Sequence, residues 1–269
     1  MISNFSGKLT RLGAGLFLFA SVDAVSGTDI RSELTREQFA AKRFQLTVIK
    51  TPDKHLAVPK NFLFIPQTKY ITDQVVILEV DRKVVAAFVT STGNTAIGKN
   101  TPEGYFLISP SECSINKESS IYKSEMDWAM MFCAPYGIHS TTESHYCELG
   151  AEASAGCARL LRSSATDLFK MATGLAPVPG LGTVNFVGAK GGSQAAIQIL
   201  GAGAATAEFW NSFDDEQRKT IDLLLTANRA EIQREITKFE KEGDTPDDPA
   251  ETWDDTNKRE WPEAPRVRP

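Results

Sequence analysis

Two segments of the chain place a histidine and a cysteine where they can act together on a carbonyl group. The first segment is Gly137-Ile-His-Ser, and the second, Ser154-Ala-Gly-Cys-Ala-Arg, begins after fourteen residues that separate His139 from Ser154. A cysteine attacks as the thiolate, so it needs a neighbouring base or cation to lower the thiol pKa from its usual ~8.5. The pattern therefore predicts Cys157 as a nucleophile and His139 as its base. By count alone three other thiols are equally available, namely Cys113, Cys133 and Cys147.

The residues around Cys157 suggest how an acyl intermediate is held. Gly156 lets the backbone approach a substrate closely, and the backbone N–H groups around Ala155–Cys157 are candidates to stabilise the developing oxyanion. Arg159 has two open roles, because its guanidinium suits a substrate carboxylate equally well as hydrogen bonds that fix the loop.

Composition excludes several classes of protein. The chain of 269 residues has 42% hydrophobic and 23% charged residues, which is typical of a globular protein. Its net charge of −5 argues against general electrostatic binding to nucleic acid, so no nucleic-acid partner is expected. Four cysteines are too few for a disulfide scaffold. Cys133 and Cys147 flank the segment of His139 and are the pair that a disulfide would join.

The N-terminus has the three parts of an export signal. Met1–Arg11 carries two basic residues and no acid, Leu12–Ala20 is apolar, and Val22-Asp-Ala offers small residues at a cleavage site. We expect a signal peptide over 1–24, with an uncleaved N-terminal anchor as the alternative. Either one places the rest of the chain in the periplasm or otherwise outside the cytoplasm.

Short apolar or alternating runs predict a mainly β, sandwich-like fold. A hairpin is expected around Asp81-Arg-Lys, a short helix after Thr35, and a helical turn or two over Ser164–Met171. The predicted strands, in chain order, are Phe44–Val48, Phe62–Phe64, Val75–Val80, Val84–Thr90, Tyr105–Ile108, Trp128–Phe132, Gly137–His139 and Thr183–Val187.

The C-terminal third differs in character. Lys190–Trp210 is rich in Ala and Gly, which favours closely packed helix. Ser212–Glu240 reads as a long amphipathic helix capped by Ser212, docked on its own domain or, alternatively, on a partner. Gly243–Pro269 contains 8 acids, 4 bases and 5 prolines, and we expect an acidic, Pro-rich, disordered tail.

Together these residues resemble the catalytic domain of the bacterial L,D-transpeptidase (YkuD-like) family. The family signature is a histidine followed, after fourteen to seventeen residues, by Ser-His-Gly-Cys and an Arg or Asn. The residues that match it are His139, Ser154, Gly156, Cys157 and Arg159. The resemblance spans roughly Gln74–Val187 and includes, in the family's order, Ser91-Thr-Gly, Thr101-Pro-Glu-Gly-Tyr-Phe-Leu-Ile, Met126-Asp-Trp-Ala-Met-Met-Phe and Gly182-Thr-Val-Asn-Phe-Val.

The chain departs from the family signature at two positions. Ala155 stands where the family usually has His, which removes a side chain that orders the loop or a water in relatives. Ser140 stands where the family often has Gly, and its hydroxyl or carbonyl is a candidate to orient His139 through Nδ1 as a third catalytic member. Three residues are candidates for lining a substrate groove, namely Trp128, Met130 and Met131, although at least one of them is expected to pack in the core. Tyr136 is a candidate for shaping the entry of that groove.

The resemblance implies a domain order for the chain. A signal peptide over 1–24 and a lead-in over 25–70, packed on the catalytic domain, precede that domain over 71–187. A helical extension over 188–242 and the tail over 243–269 follow it.

The resemblance also implies an activity. Cys157 would capture the acyl group of a peptidoglycan tetrapeptide stem with release of D-alanine, and an amine of a second stem would then form a 3→3 crosslink. The alternatives are L,D-carboxypeptidase trimming, attachment of a lipoprotein, or a non-catalytic peptidoglycan-binding module that recruits a protein partner through the C-terminal helix or tail. No metal and no cofactor is expected.

Overall fold

The computed structural model describes residues 33–50, 74–95, 98–119, 124–201 and 203–242. The expected signal over 1–24, the strand at Phe62–Phe64 and the tail over 243–269 lie outside the described residues. Among the described helices, none is both long enough and apolar enough to span a membrane.

The larger sheet has five strands in the order β3-β2-β1-β11-β5. Their bounds are Phe44–Ile49 for β1, Val75–Val80 for β2, Lys83–Val89 for β3, Gly104–Ile108 for β5 and Ala195–Leu200 for β11. The central pair is parallel and runs in register from Phe44 opposite Ala195 to Ile49 opposite Leu200. Every residue of β1 and β11 is buried, so this pair has both faces covered.

The smaller sheet has four strands in the order β10-β8-β7-β6, and β4 and β9 form a separate parallel pair. The bounds are Cys113–Ser114 for β6, Ala129–Cys133 for β7, Tyr136–Ser140 for β8 and Ala158–Leu160 for β10, with Thr92–Gly93 for β4 and Glu152–Ser154 for β9. β10 pairs with β8 in parallel, and this pairing places the segment that contains His139 next to the one that contains Cys157.

Four α-helices complete the part of the fold that the structure describes, and two of them begin with clear capping signals. They are Arg36–Ala40 (α1), Arg162–Thr173 (α2), Ala204–Asn211 (α3) and Asp215–Lys241 (α4). Thr35 and Asp214 form capping boxes with Gln38 and Gln217, respectively, which satisfies N–H groups that a helix start leaves free. Two 3₁₀ helices cover Pro110–Glu112 and Glu143–Glu148.

Two large hydrophobic clusters hold the described elements together, and a small third one lies beside Cys157. The main core lies between the two sheets, with α2 alongside, so the domain is a sandwich; its largest fully buried side chains include Phe44, Phe106, Phe186, Met130, Ile138 and Leu160. The second core lies on the other face of the five-stranded sheet and consists of Ile49, Val75, Ile77, Ala87, Val89, Tyr146, Leu149, Leu161, Trp210, Phe213, Ile221, Leu225 and Ile232. Helices α3 and α4 therefore form a covering layer on that sheet.

Helix α4 also supplies a hydrogen-bond acceptor to a backbone N–H of the edge strand β3. The Asn228 side chain accepts a hydrogen bond from the Val89 N–H at 2.8 Å and donates one to the Ser164 hydroxyl at 2.9 Å. Asn228 is buried, so each bond replaces water that the packed groups no longer reach. One side chain thus ties α4 both to the sheet and to the start of α2.

Most of the predicted elements are confirmed. The helix after Thr35, the hairpin at Asp81-Arg-Lys, and the strands near residues 44, 105, 129 and 137 form within one or two residues of the predicted bounds. The predicted sandwich with a C-terminal helix is confirmed, and its sheets are mixed. Helix and strand occur in comparable amounts across the described residues, so the helical share is larger than the prediction of a mainly β fold implies.

Three predicted features of the second half are wrong. Thr183–Val187 is irregular and forms no strand. Lys190–Trp210 is not one helix, since Ala195–Leu200 inserts as a strand between β1 and β5 before α3 begins. Ser212 does not start the long helix; it is the C-cap of α3, and Asp214 is the N-cap of α4.

Candidate active site

Strands β8 and β10 place His139 and Cys157 on one face of the smaller sheet. Ile138 and Ala158 are register partners in the main core, so His139 and its partner Arg159 point to the opposite face. Cys157 directly precedes β10 and lies beside Gly137. Neighbouring strands are about 4.8 Å apart and rise about 3.3 Å per residue, which separates the Cα atoms of Cys157 and His139 by roughly 8 Å along the diagonal. A diagonal of this length is within reach of a long or aromatic side chain such as the imidazole of His139.

A hydrogen bond to the backbone holds the imidazole of His139 in one tautomer. Its Nδ1 lies 2.6 Å from the carbonyl oxygen of Ser140, and because a carbonyl only accepts, Nδ1 carries the proton. Nε2 is then the unprotonated atom. Burial lowers the pKa of His139 to about 4, and the charge of Arg159 acts in the same direction. His139 is therefore neutral near pH 7, with a nitrogen that can accept a proton.

The thiol of Cys157 is half-buried against an apolar wall formed by Met126, Ala129 and Met131. Burial raises its pKa to about 11, while a backbone hydrogen bond from Gly137 and the charge of Arg159 act to lower it. The resting pair is thus a neutral thiol beside a neutral imidazole. A neutral thiol must lose its proton to a base as it attacks, and the unprotonated Nε2 of His139 is the candidate for that base.

Ser154 shapes the turn that carries the sulfur. Its hydroxyl accepts a hydrogen bond from the Gly156 N–H at 3.1 Å and donates one to the Cys157 carbonyl at 2.5 Å. Gly156 has φ of +118°, and a Cβ there would lie 2.3 Å from the ring of Tyr136. Glycine is needed at 156 for both reasons.

The same bonds narrow the choice of oxyanion donors. The Gly156 N–H, one of the predicted donors, is already used by Ser154, so the N–H of Cys157 is the better remaining candidate. Ala155 is half-buried, and its methyl group offers no hydrogen bond in place of the family's histidine.

Arg159 is fixed by a carboxylate that sequence reasoning missed. The guanidinium donates a short hydrogen bond to Glu148 and a second one, of 3.3 Å, to the Ser91 hydroxyl. The strand of Arg159 is also held by backbone bonds of 2.8 and 3.0 Å to Ser91. Because Glu148 and Ser91 already accept hydrogen bonds from the guanidinium of Arg159, this geometry favours the loop-fixing role over binding of a substrate carboxylate. His145 lies on the 3₁₀ helix Glu143–Glu148, and its Nδ1 donates a hydrogen bond to Glu148 at 3.1 Å.

The residues predicted to line or shape a substrate groove lie partly next to Cys157 and partly in the main core. Met131 lies in the wall next to Cys157, whereas Met130 is in the main core and Trp128 packs against that core and Phe169. The ring of Tyr136 lies against Gly156. All four cysteines are free thiols, so the disulfide between Cys133 and Cys147 does not form.

Residues 70–190 match the family model of the YkuD L,D-transpeptidase catalytic domain. The matched range holds every residue of the candidate site, but it contains neither β1 nor β11, the central strands of the larger sheet. A search of curated proteins gave no match.

Solved structures of L,D-transpeptidases are similar to the chain at low identity. The L,D-transpeptidase (Yku) from Stackebrandtia nassauensis is 20% identical with a TM-score of 0.39, and the match covers 63% of this chain and 62% of that one. An L,D-transpeptidase from Mycobacterium smegmatis is 16% identical with a TM-score of 0.36, covering 58% and 59%. One from Mycobacterium tuberculosis is 14% identical with a TM-score of 0.34, covering 58% and 57%. The match thus spans less than two thirds of each solved chain.

Proposed function

Residues 70–190 form a YkuD-type L,D-transpeptidase catalytic domain, and from this premise we propose that the protein is a cysteine acyltransferase acting on peptidoglycan stem peptides. One observation carries the proposal. Cys157 and His139 share a face of adjacent parallel strands, and the bond from Nδ1 to Ser140 leaves Nε2 unprotonated as the proton acceptor.

The first half-reaction is capture of the acyl group. The Cys157 sulfur attacks the carbonyl carbon of the third residue of a tetrapeptide stem while its proton passes to His139 Nε2. The oxyanion that forms is stabilised by the N–H of Cys157. The bond to the terminal D-alanine then breaks, and its nitrogen leaves with the proton from His139, so that a thioester and neutral His139 remain.

The second half-reaction decides the product. An amine of a second stem attacks the thioester, His139 accepts the amine proton, and the sulfur leaves and recovers a proton as the 3→3 amide forms. The same thioester gives a trimmed tripeptide with water and an anchored protein with a lipoprotein amine. We favour transfer to an amine because Met126 and Met131 form an apolar wall on one side of the half-buried sulfur.

Mass spectrometry of muropeptides from peptidoglycan incubated with the purified protein tests this proposal. A crosslinked product that has lost D-alanine supports transpeptidation, and a tripeptide alone supports trimming. Unaltered muropeptides would overturn the enzyme proposal and favour a binding module.

Two cysteine variants assign the nucleophile. Cys157→Ala is expected to abolish every product. Cys113→Ala, which removes another half-buried free thiol, is expected to leave the product pattern intact. Products from Cys157→Ala would show that a different group attacks.

We also propose that the protein acts outside the cytoplasm, because its substrate lies there and the sequence predicts a signal over 1–24. N-terminal sequencing of the protein from the periplasmic fraction tests this. A start near Val25 supports cleavage, and recovery only in the cytoplasmic fraction would contradict the location.

A further inference from the structure

One buried carboxylate near the site is not explained by the acyl-transfer steps. Glu148 ends the 3₁₀ helix Glu143–Glu148, and its side chain is only 5% exposed. A carboxylate this buried is costly unless charged or hydrogen-bonding partners surround it. Its partners therefore indicate its role.

Both oxygens of Glu148 have donors. Oε2 accepts the short bond from Arg159, and Oε1 accepts the bond of 3.1 Å from His145 Nδ1. Burial alone raises the pKa of the Glu148 carboxyl, but the bond from His145 and the charge of Arg159 hold it below its ordinary value. Glu148 is therefore an ionised carboxylate near pH 7, aimed at Arg159.

Arg159 in turn acts on both reacting groups. It is the register partner of His139, and it lies two residues after Cys157. Its positive charge lowers the pKa of the imidazole and that of the thiol. An arginine side chain is long and has many rotamers, so its effect at the site depends on what holds the guanidinium in place.

The 3₁₀ helix that carries Glu148 is itself anchored to the helical layer. Tyr146 and Leu149 lie in the second core together with Ile221, Leu225 and Ile232 of α4. The position of Glu148 therefore depends on a helix that supplies no residue to the site.

We propose that Glu148 is a positioning residue, which holds the Arg159 guanidinium beside Cys157 and His139 and links it through the 3₁₀ helix to α4. This deepens the proposed function and rests on it for its meaning in catalysis. The hold itself is tested on the thiol alone, without peptidoglycan.

The experiment is a double-mutant cycle on the reactivity of Cys157. The full chain is alkylated with iodoacetamide between pH 7 and 10.5, and the rate at Cys157 is read from its own peptide by mass spectrometry. This range lies below the thiol pKa of about 11, so the midpoint is defined here as the pH at which the rate reaches half of the wild-type rate at pH 9. The variants are Glu148→Gln, Arg159→Gln and the two combined, with Glu143→Gln as the control at an exposed carboxylate on the same turn.

We expect Arg159→Gln and Glu148→Gln to shift the alkylation midpoint in the same direction, and we expect the two shifts not to add. Loss of a cation beside the thiol in Arg159→Gln raises the pH midpoint of alkylation by about one unit. Glu148→Gln raises the midpoint in the same direction, because Arg159 is no longer held there, and it adds nothing in the Arg159→Gln background. Glu143→Gln leaves the midpoint unchanged.

Three other results overturn the proposal. A lower midpoint in Glu148→Gln shows that Glu148 only offsets the charge of Arg159. Equal shifts from Glu148→Gln in both backgrounds show a general structural effect, and no shift shows no role.

A conservative variant covers a failure of Glu148→Gln to fold. Glu148→Asp keeps the charge but draws the carboxylate back by one methylene. A raised midpoint supports the proposal, and the wild-type midpoint overturns it.

The readout is separate from catalysis on peptidoglycan. Were the wild-type protein to leave muropeptides unaltered while the coupled shift appeared, the proposed function would fail and the positioning role would stand.

Other titratable or charged groups among the described residues also lie around Glu148 and Arg159. They include Tyr136 and His139 on β8, His145 and Cys147 on the 3₁₀ helix, and Glu240 of α4, which acts on Cys147.

Discussion

The two sheets of the domain are built from similar apolar runs but are covered differently. The five-stranded sheet has the main core on one face and the helices α3 and α4 on the other. The four-stranded sheet has the main core on one face, while its other face carries His139, Cys157 and Arg159. Among the described residues, no helical layer of this kind covers the sheet face that carries these polar groups. The helix-covered sheet instead serves stability.

The largest effect expected from this division is at His139. His139→Asn keeps an amide N–H near the position of Nδ1, which can donate to the Ser140 carbonyl, but removes the base at Nε2. The rate of acyl transfer should fall by about 10²–10⁴-fold, while the urea midpoint stays close to that of the wild type. Retention of more than about a tenth of the rate would contradict the assignment of His139 as the base.

Truncation of a buried side chain in the helical layer should have the opposite effect, because it lowers the stability of the fold and leaves the reactive groups in place. Leu225 is 1% exposed in the second core, and Leu225→Ala should lower the free energy of unfolding by about 2–5 kcal/mol. Leu223, on the same helix, is 72% exposed, so Leu223→Ala should change it by less than about 0.5 kcal/mol. Urea unfolding measures both, and equal losses would mean that α4 does not dock as described.

A smaller loss is expected at the polar tie between the layer and the sheet. Asn228→Ala leaves the Val89 N–H and the Ser164 hydroxyl without their partner, which should cost about 1–3 kcal/mol of unfolding free energy. Thr226→Ala, at an exposed position of α4, is the control. An Asn228→Ala variant as stable as this control would show that the tie contributes nothing.

The smallest effect concerns pH and touches the reactive face alone. Since the pKa of His139 is lowered to about 4, its imidazole is neutral at higher pH and the acid limb of kcat/KM should have its midpoint near pH 4. From pH 5.5 to 7 the rate should change little on account of this group. A midpoint near 6.5, the ordinary value, would show that water reaches the imidazole.

The reactive face could be largely predicted from the sequence because its signals are local. A histidine, a serine and a cysteine at family spacing indicate strands, a turn and a proton path, and the bond from His139 to Ser140 joins neighbouring residues. Glu148 could not be found this way, since its partner Arg159 is eleven residues away and no motif links them. The one available signal was a histidine three residues before a carboxylate, which suits a helical turn.

The helical layer and its sheet were harder to predict because packing decides them. The β11 residues Ala-Ala-Ile-Gln-Ile-Leu show no alternation, since both faces are buried, and alanine does not favour strands. Only the neighbours β1 and β5 make this segment a strand. At the start of α4, Ser212 and Asp214 both suit a helix start, and Gln217, which completes the box with Asp214, decides between them.

The parallel pairing of Phe44 with Ala195 has a consequence for how the protein is made. The middle of the larger sheet joins strands from the early and late parts of the polypeptide, so long-range contacts dominate its assembly. A nascent chain whose residues after 194 have not emerged lacks the strand that bridges β1 and β5. The five-stranded sheet therefore cannot close before Ala195–Leu200 is available to pair with both neighbours.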